Sequence, residues 1–200
     1  MHGFNEQEIE LLRRLNTPVK IQNYLESLKI NFSETCWSPR RVMGEKKAHC
    51  LEGAMLAAAA FLVNGEQPLV MDLKAAASDD DHVVAVYKRH GCWGSISKTN
   101  HAVLRYREPI YRNIHELAVS FFHEYFTHHG VKTLRSYSLP INLSRFNKQE
   151  WTTGAKNMWH IPEYIDNVKH FAFASAIVVR QLRRADPIEI RAGRLVRDKR

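Results

Sequence analysis

The spacing of hydrophobic positions changes several times along the chain, and each change marks an element. Ile9, Leu11, Leu12 and Leu15 recur at helical intervals, and Asn5 with Glu8 has the form of a capping box, so the pattern predicts a helix over 5–15. Asn16-Thr17-Pro18 ends it and opens a second helix. Thr17 is its cap, Pro18 its first residue, and Val19, Ile21, Tyr24, Leu25 and Leu28 its buried face. Residues 31–47 read as polar and irregular, broken by Pro39 and Gly44. Residues 48–63, AHCLEGAMLAAAAFLV, are apolar on nearly every side, with no charge after Glu52. A helix apolar all round belongs in a core, and Asn64-Gly65 supplies its stop.

Beyond that helix the period shortens. Residues 68–73 read as a short buried strand, and 74–81 as a loop ending in Asp79, Asp80 and Asp81. Val83, Val84, Val86 and Tyr87 form a strand, His90-Gly91 turns, and 92–96 returns, giving a hairpin with His82 at its start. Residues 101–106 are expected to extend the sheet. From Tyr111 the spacing returns to three and four through Ile114, Leu117, Ala118, Phe121, Phe122, Tyr125 and Phe126, predicting a helix over 113–128 stopped by Gly130. A strand over 134–143 interrupted by Pro140 follows, then a polar loop over 146–160 and a short helix over 162–170. Residues 172–182 read as an apolar helix, or as a strand through 177–179, and the basic end from 183 is expected to fray. The whole reads as one α+β domain over 1–200, a buried central helix against a small antiparallel sheet with flanking helices.

Composition narrows the class. Two hundred residues suffice for one domain with a sizeable core, and 44% hydrophobic with 25% charged is an ordinary globular balance. Cys36, Cys50 and Cys92 cannot all pair and show no C-x-x-C spacing, which points to a reducing, cytoplasmic location. The first residues lack a basic stretch followed by an apolar run, so no signal peptide is expected. The longest apolar run, 54–63, is too short for a bilayer, so no membrane partner is expected. The net charge of +8 gathers at Arg13-Arg14, Arg40-Arg41, Lys46-Lys47 and the segment from Arg180 onward. Such a field can attract nucleic acid or another acidic partner, although no recognition motif accompanies it. His115, His123, His128 and His129 fall on or just after the helix predicted over 113–128. HExxH is absent and the Cys and His spacings match no closed site, so neither a metal nor a cofactor is expected.

The candidate chemistry starts at Cys50, in the first turn of the apolar helix, where the helix dipole favours thiolate. A thiol needs a base, and the base an orienting partner. His82 is the candidate base; His49 ranks below it, because successive side chains on a helix point apart. Cys50 opening an Ala-rich helix, Asp81-His82-Val83 opening the strand DHVVAVY, and Gly91-Cys92-Trp93 opening its partner resemble the transglutaminase-like superfamily of papain-type thiol enzymes. The resemblance spans about residues 36–100. It implies Cys, His and Asp in this chain order, on a helix followed by an antiparallel sheet. The implied papain/transglutaminase-like core covers about 36–106, with a helical layer over 1–30 and an unmatched part over 107–200. It also implies acyl transfer, or hydrolysis, on a peptide, protein or small amide.

The family's acid has no counterpart here: Gly94 to Asn100 contains no carboxylate. Ser97 falls nearest the expected place, Asn100 is the other candidate orienter, and a vacant third role is the remaining alternative. Trp37 is a candidate for lining a cleft and donating its indole N–H. Asp72 lies between the helix and the hairpin, as a partner of the pair or a strand-end cap. Trp93 reads more as core than as site. The competing reading is a non-catalytic binding module on the same scaffold, holding an acidic partner on its basic surface.

Overall fold

Capping chemistry shapes the N-terminal layer. The computed structural model describes residues 2–199. Helix α1 (Glu6–Arg14) is closed by a reciprocal box in which Asn5 Oδ1 accepts from the Glu8 N–H at 2.9 Å and Glu8 Oε2 accepts from the Asn5 N–H at 2.8 Å. Helix α2 (Pro18–Ser27) starts under the Thr17 cap. The segment expected to be irregular contains helix α3 (Pro39–Glu45), capped by Ser38. Proline lacks only an N–H that the first turn does not use, so Pro39 starts this helix instead of breaking it. Arg40 forks onto Glu8 through two contacts of 2.8 Å and ties α3 to α1.

Strands β1 (Lys29–Ile30) and β2 (Lys47–Ala48) pair in parallel, with Ile30 opposite Ala48. Directly after β2 comes helix α4 (Cys50–Val63), in which Ala54 and Ala57 to Ala60 are fully buried. The small side chains let α1, α2, α3 and the sheet approach the helix on all sides.

The sheet holds β3 (Leu69–Ala75), β4 (His82–Arg89), β5 (Cys92–Ile96), β6 (Arg107–Tyr111), β7 (Leu134–Ser138), β8 (Ile141–Asn142) and β9 (His170–Ala172). Its order is β6-β5-β4-β3-β7-β9, antiparallel throughout, with β8 also on β3. Both faces are covered. Val70, Val83, Ala85 and Tyr87 join the α4 core, while Met71, Leu73, Val84 and Val86 meet α5 (Ile114–Val119) and Phe121 on the other face. Helix α6 (His160–Asn167) completes the α4 side. Alternate residues thus feed two cores, so β3 and β4 read as continuous apolar runs. His90 and Gly91 have φ of 49° and 84°, the two positive values a tight hairpin turn needs.

Several expected elements differ. The third hairpin strand lies at 107–111, not 101–106, because Leu104 takes a positive φ of 60° and its N–H bonds to Glu124 Oε2 at 2.9 Å, outside any ladder. The helix expected to reach 128 ends after Val119. The Ser120 hydroxyl donates back to the Leu117 carbonyl at 2.6 Å, and the Arg107 guanidinium takes the Ser120 carbonyl at 3.2 Å. Apolar spacing persists past this break because Phe121 and Tyr125 still enter the core. The loop expected over 146–160 begins inside a 3₁₀ turn, Leu143–Gln149, and buries Trp151, whose indole N–H reaches Asn147 Oδ1 at 2.9 Å. Over 172–182 the helix α7 (Ala176–Arg180) is short and exposes Ile177 and Val178. Over the described residues 183–199 the basic end is structured: it forms α8 (Pro187–Gly193), and residues 195–198 are hydrogen-bonded to 100–102 and Ile30. No helix among the described residues is long and apolar enough to cross a membrane.

Candidate active site

Cys50 is the first residue of α4, and the turn that presents it is organised by Glu52. This carboxylate is fully buried and accepts from the backbone N–H of His49 at 3.2 Å and of Trp37 at 3.0 Å, the Thr35 hydroxyl at 2.7 Å and the Asn31 amide at 3.0 Å. It thereby folds residues 31–37 over the start of the helix. His49 Nε2 lies 2.6 Å from the Thr35 carbonyl. A carbonyl only accepts, so Nε2 carries the proton and Nδ1 is left for another partner. Both His49 and His82 lie near enough to the Cys50 thiol to favour its charged form. The two adjacent side chains converge because His49 is the cap, with extended φ and ψ of −93° and −174°, and does not follow the helical rule that would point them apart.

His82 opens β4 and is buried. Its Nε2 is 2.8 Å from Ser97 Oγ, and the Ser97 hydroxyl lies 2.6 Å from the Leu104 carbonyl. The serine proton is committed to that carbonyl, so Ser97 accepts from His82. Nε2 is therefore protonated and Nδ1 is left free to accept, the tautomer a base for Cys50 requires. Ser97 is in turn clamped by α2. Its N–H donates to Gln22 Oε1 at 3.0 Å, and its carbonyl accepts from Gln22 Nε2 at 2.9 Å. The next residue, Lys98, is buried and donates to the carbonyls of Leu25 at 2.8 Å and Leu28 at 2.6 Å, the otherwise open end of α2. Gly53 lets Lys98 cross α4: a Cβ there would stand 2.4 Å from Lys98 Cβ.

The electrostatics separate the cysteines. Burial pushes the Cys50 thiol up, but hydrogen bonds and charge from His49 and His82 outweigh it and hold the thiol well below its usual range. Burial lowers His49, yet the bond and charge of Cys50, the charge of Glu52 and the Thr35 carbonyl raise it to about 9. At neutral pH the favoured state is thus a thiolate beside an imidazolium. Cys36 is the opposite case, pushed up to about 12 by burial and then by the Glu52 charge.

Cys50 and His82 line a cleft of about 710 Å³, with Leu104, Tyr125 and Phe126 among its apolar walls. No family model and no curated protein matches the chain. The remaining candidates are placed differently from the pair. Asn100 lines the cleft, but its amide bonds to the backbone of Asp198 and not to His82. Trp37 does not line the cleft; Arg41 and Lys47 lie 4.5 and 5.0 Å from its ring centroid, and its buried indole N–H has no partner among the described residues. Asp72 is buried on β3 and bonds His170 Nε2 at 2.9 Å, so it serves neither His82 nor Cys50. Its neighbours Asp81 and Asp166 form an acidic cluster with it, into which Lys74 places its ammonium, 3.3 Å from Asp81 and 3.0 Å from Asp166. Trp93 packs against the second core with Lys88 Nζ 5.5 Å from its ring centroid, away from the cleft lining.

Sequence reasoning missed Glu52, Gln22 and Lys98. Glu52 had a legible signal, an acid three residues after the helix cap. The other two act through backbone groups distant in sequence, which no local pattern encodes.

Proposed function

We propose that this chain is a transglutaminase-like thiol enzyme on a papain/transglutaminase-like scaffold, performing acyl transfer or amide hydrolysis through Cys50, His82 and Ser97. The observation that carries the reading is the chain His82–Ser97–Leu104 carbonyl, which fixes the His82 tautomer, beside a thiol whose charged form His49 and His82 favour. The Cys50 thiolate attacks the carbonyl carbon of an amide or ester; a C–S bond forms and the π electrons move to oxygen. That oxyanion meets the Cys50 backbone N–H, which the first helical turn leaves without an intrahelical carbonyl. The oxyanion then collapses, the C–N bond breaks, and His82 gives the proton it took from the thiol to the leaving amine. Water or an amine, deprotonated by His82, attacks the thioester carbonyl; the new tetrahedral intermediate collapses, the C–S bond breaks, and the Cys50 thiolate is released beside the His82 imidazolium.

Ser97 stands where the family has a carboxylate. A hydroxyl fixes the His82 tautomer but adds no negative charge behind the imidazolium. His49 compensates in part, because a second imidazole beside the sulfur also favours thiolate. The test is acylation by p-nitrophenyl acetate. The expected result is one acetyl group on Cys50, gained faster than on Cys36 or Cys92 and lost by hydrolysis, with formation abolished in Cys50→Ala and slowed in His82→Ala. Acetylation of Cys50 no faster than of the other cysteines overturns the reading.

A further inference from the structure

One wall of the Cys50 cleft is occupied by the chain itself. Residues 195–198 run antiparallel to 100–102: the Ala102 N–H donates to the Leu195 carbonyl at 3.0 Å and the Arg197 N–H to the Asn100 carbonyl at 3.0 Å, with His101 opposite Val196. The Asn100 side chain then holds both backbone groups of Asp198, accepting from its N–H at 2.9 Å and donating to its carbonyl at 3.0 Å. The Asp198 carboxylate accepts from the Ile30 N–H at 2.8 Å. Ile30 is the β-partner of Ala48, two residues before Cys50, and Lys199 lines the cleft with Cys50. Val196, Asp198 and Lys199 therefore line the same cleft as the thiol.

Most of these contacts are to main chain. An asparagine that reads the N–H and carbonyl of one residue, beside a two-bond β-ladder, recognises an extended backbone whatever its side chains, as in strand addition to a free edge. Leu195 is 63% exposed and contributes little to the seating, whereas the Arg197 guanidinium reaches Glu26 at 3.1 Å. We infer that the edge formed by Asn100, His101 and Ala102 is the subsite for an extended polypeptide substrate, and that residues 195–198 are an intramolecular competitor that must leave before such a substrate reaches Cys50. This inference rests on the thiol-enzyme reading and narrows it, from any amide to peptide bonds in extended chain. A tethered competitor acts at a high effective concentration, so it suppresses peptide binding while leaving small reagents free to enter.

The test uses the full chain with Arg197→Pro and Asp198→Ala together. Proline removes the donor to Asn100, and alanine removes the acceptor for Ile30. Cys50 is labelled by iodoacetamide and, separately, by a peptide matching residues 195–199 that carries a C-terminal chloromethyl ketone. The expected result is an iodoacetamide rate unchanged within about twofold and a peptidyl-label rate raised about tenfold in the double variant. A peptidyl rate that does not move, beside rapid iodoacetamide labelling, overturns the subsite and leaves the nucleophile standing. Slow labelling of Cys50 by both reagents overturns the nucleophile and the inference with it. A second measurement is independent of the thiol. In a Cys50→Ala background, a fluorescent peptide of residues 195–199 is expected to bind about tenfold more tightly once the strap is weakened; equal binding overturns the competition.

Discussion

Replacing Gly53 by alanine places a methyl group where Lys98 crosses α4. The new Cβ would stand 2.4 Å from Lys98 Cβ and 3.1 Å from its Cγ. Lys98 cannot yield easily, because its ammonium caps the Leu25 and Leu28 carbonyls and its neighbour Ser97 is clamped by Gln22. Overpacking of this kind costs about 1–3 kcal/mol. Straining the charged hydrogen bonds of Lys98 adds about 1.5–3 kcal/mol. The better helix propensity of alanine returns about 1 kcal/mol. The expected net loss is about 1.5–5 kcal/mol. Gly44 in α3 supplies the control, since a Cβ there meets nothing within 4 Å. Gly44→Ala is therefore expected to stabilise by about 0.5–1 kcal/mol from propensity alone. Guanidinium unfolding followed by tryptophan fluorescence reads both as shifts of midpoint at constant slope. Moving Lys98 also draws Ser97 off His82, so Gly53→Ala is expected to slow Cys50 alkylation, and Gly44→Ala is not. Equal shifts for the two variants, or a Gly53→Ala protein as stable as the parent, refute the packing argument.

Ser97→Ala removes the acceptor of the His82 proton and is expected to slow alkylation of Cys50 at neutral pH about tenfold, with Ser97→Thr retaining most of the rate; an unaffected Ser97→Ala protein contradicts the orienting role. His49→Gln is expected to raise the Cys50 titration midpoint, because one of two favourable imidazoles is lost; a fixed midpoint places His49 outside the charge balance. Asp72, pushed up to about 6 by burial first and by the Asp81 charge, gives a pH dependence of stability of known sign. Its folded pKa lies above its unfolded value of about 3.9. The folded state thus holds the extra proton between those values, and the stability this contributes in acid is lost as pH rises through 6. Asp72→Asn is expected to flatten urea-derived stability between pH 4 and 6 relative to the parent, and an unchanged slope assigns that dependence elsewhere.

The parts of the fold legible in the sequence were those written in local chemistry. The Asn5–Glu8 capping box, the proline start of α2 and the His90-Gly91 turn mark their elements within a few residues. The all-apolar stretch revealed α4 because no surface helix tolerates it. What was lost depended on distant partners. The helix after Ile114 stops at Ser120 because Arg107 from β6 takes its carbonyl, while Phe121 and Tyr125 keep the helical spacing without the helix. Residues 195–198 read as a loose basic end because the Asn100 amide that holds them lies far away in sequence. At the candidate site, Cys50, His82 and Ser97 were separately visible, whereas the tautomer of His82 depends on the Leu104 carbonyl, contributed by an irregular segment. The approach of His49 to the sulfur depends on its extended cap conformation, which spacing on an ideal helix hides.

The central claim is that Cys50 is a thiolate held by two imidazoles, and its alkylation rate as a function of pH tests this most directly. Iodoacetamide labelling of the native protein, resolved by peptide mass, follows Cys50 with Cys36 as internal reference in the same sample. The account predicts near-maximal Cys50 reactivity already at pH 7, with a midpoint well under the free-thiol value of about 8.5 that moves up in His82→Ala, while Cys36 stays unreactive. A Cys50 rate that rises only through pH 8.5, and is indifferent to His82→Ala, contradicts it.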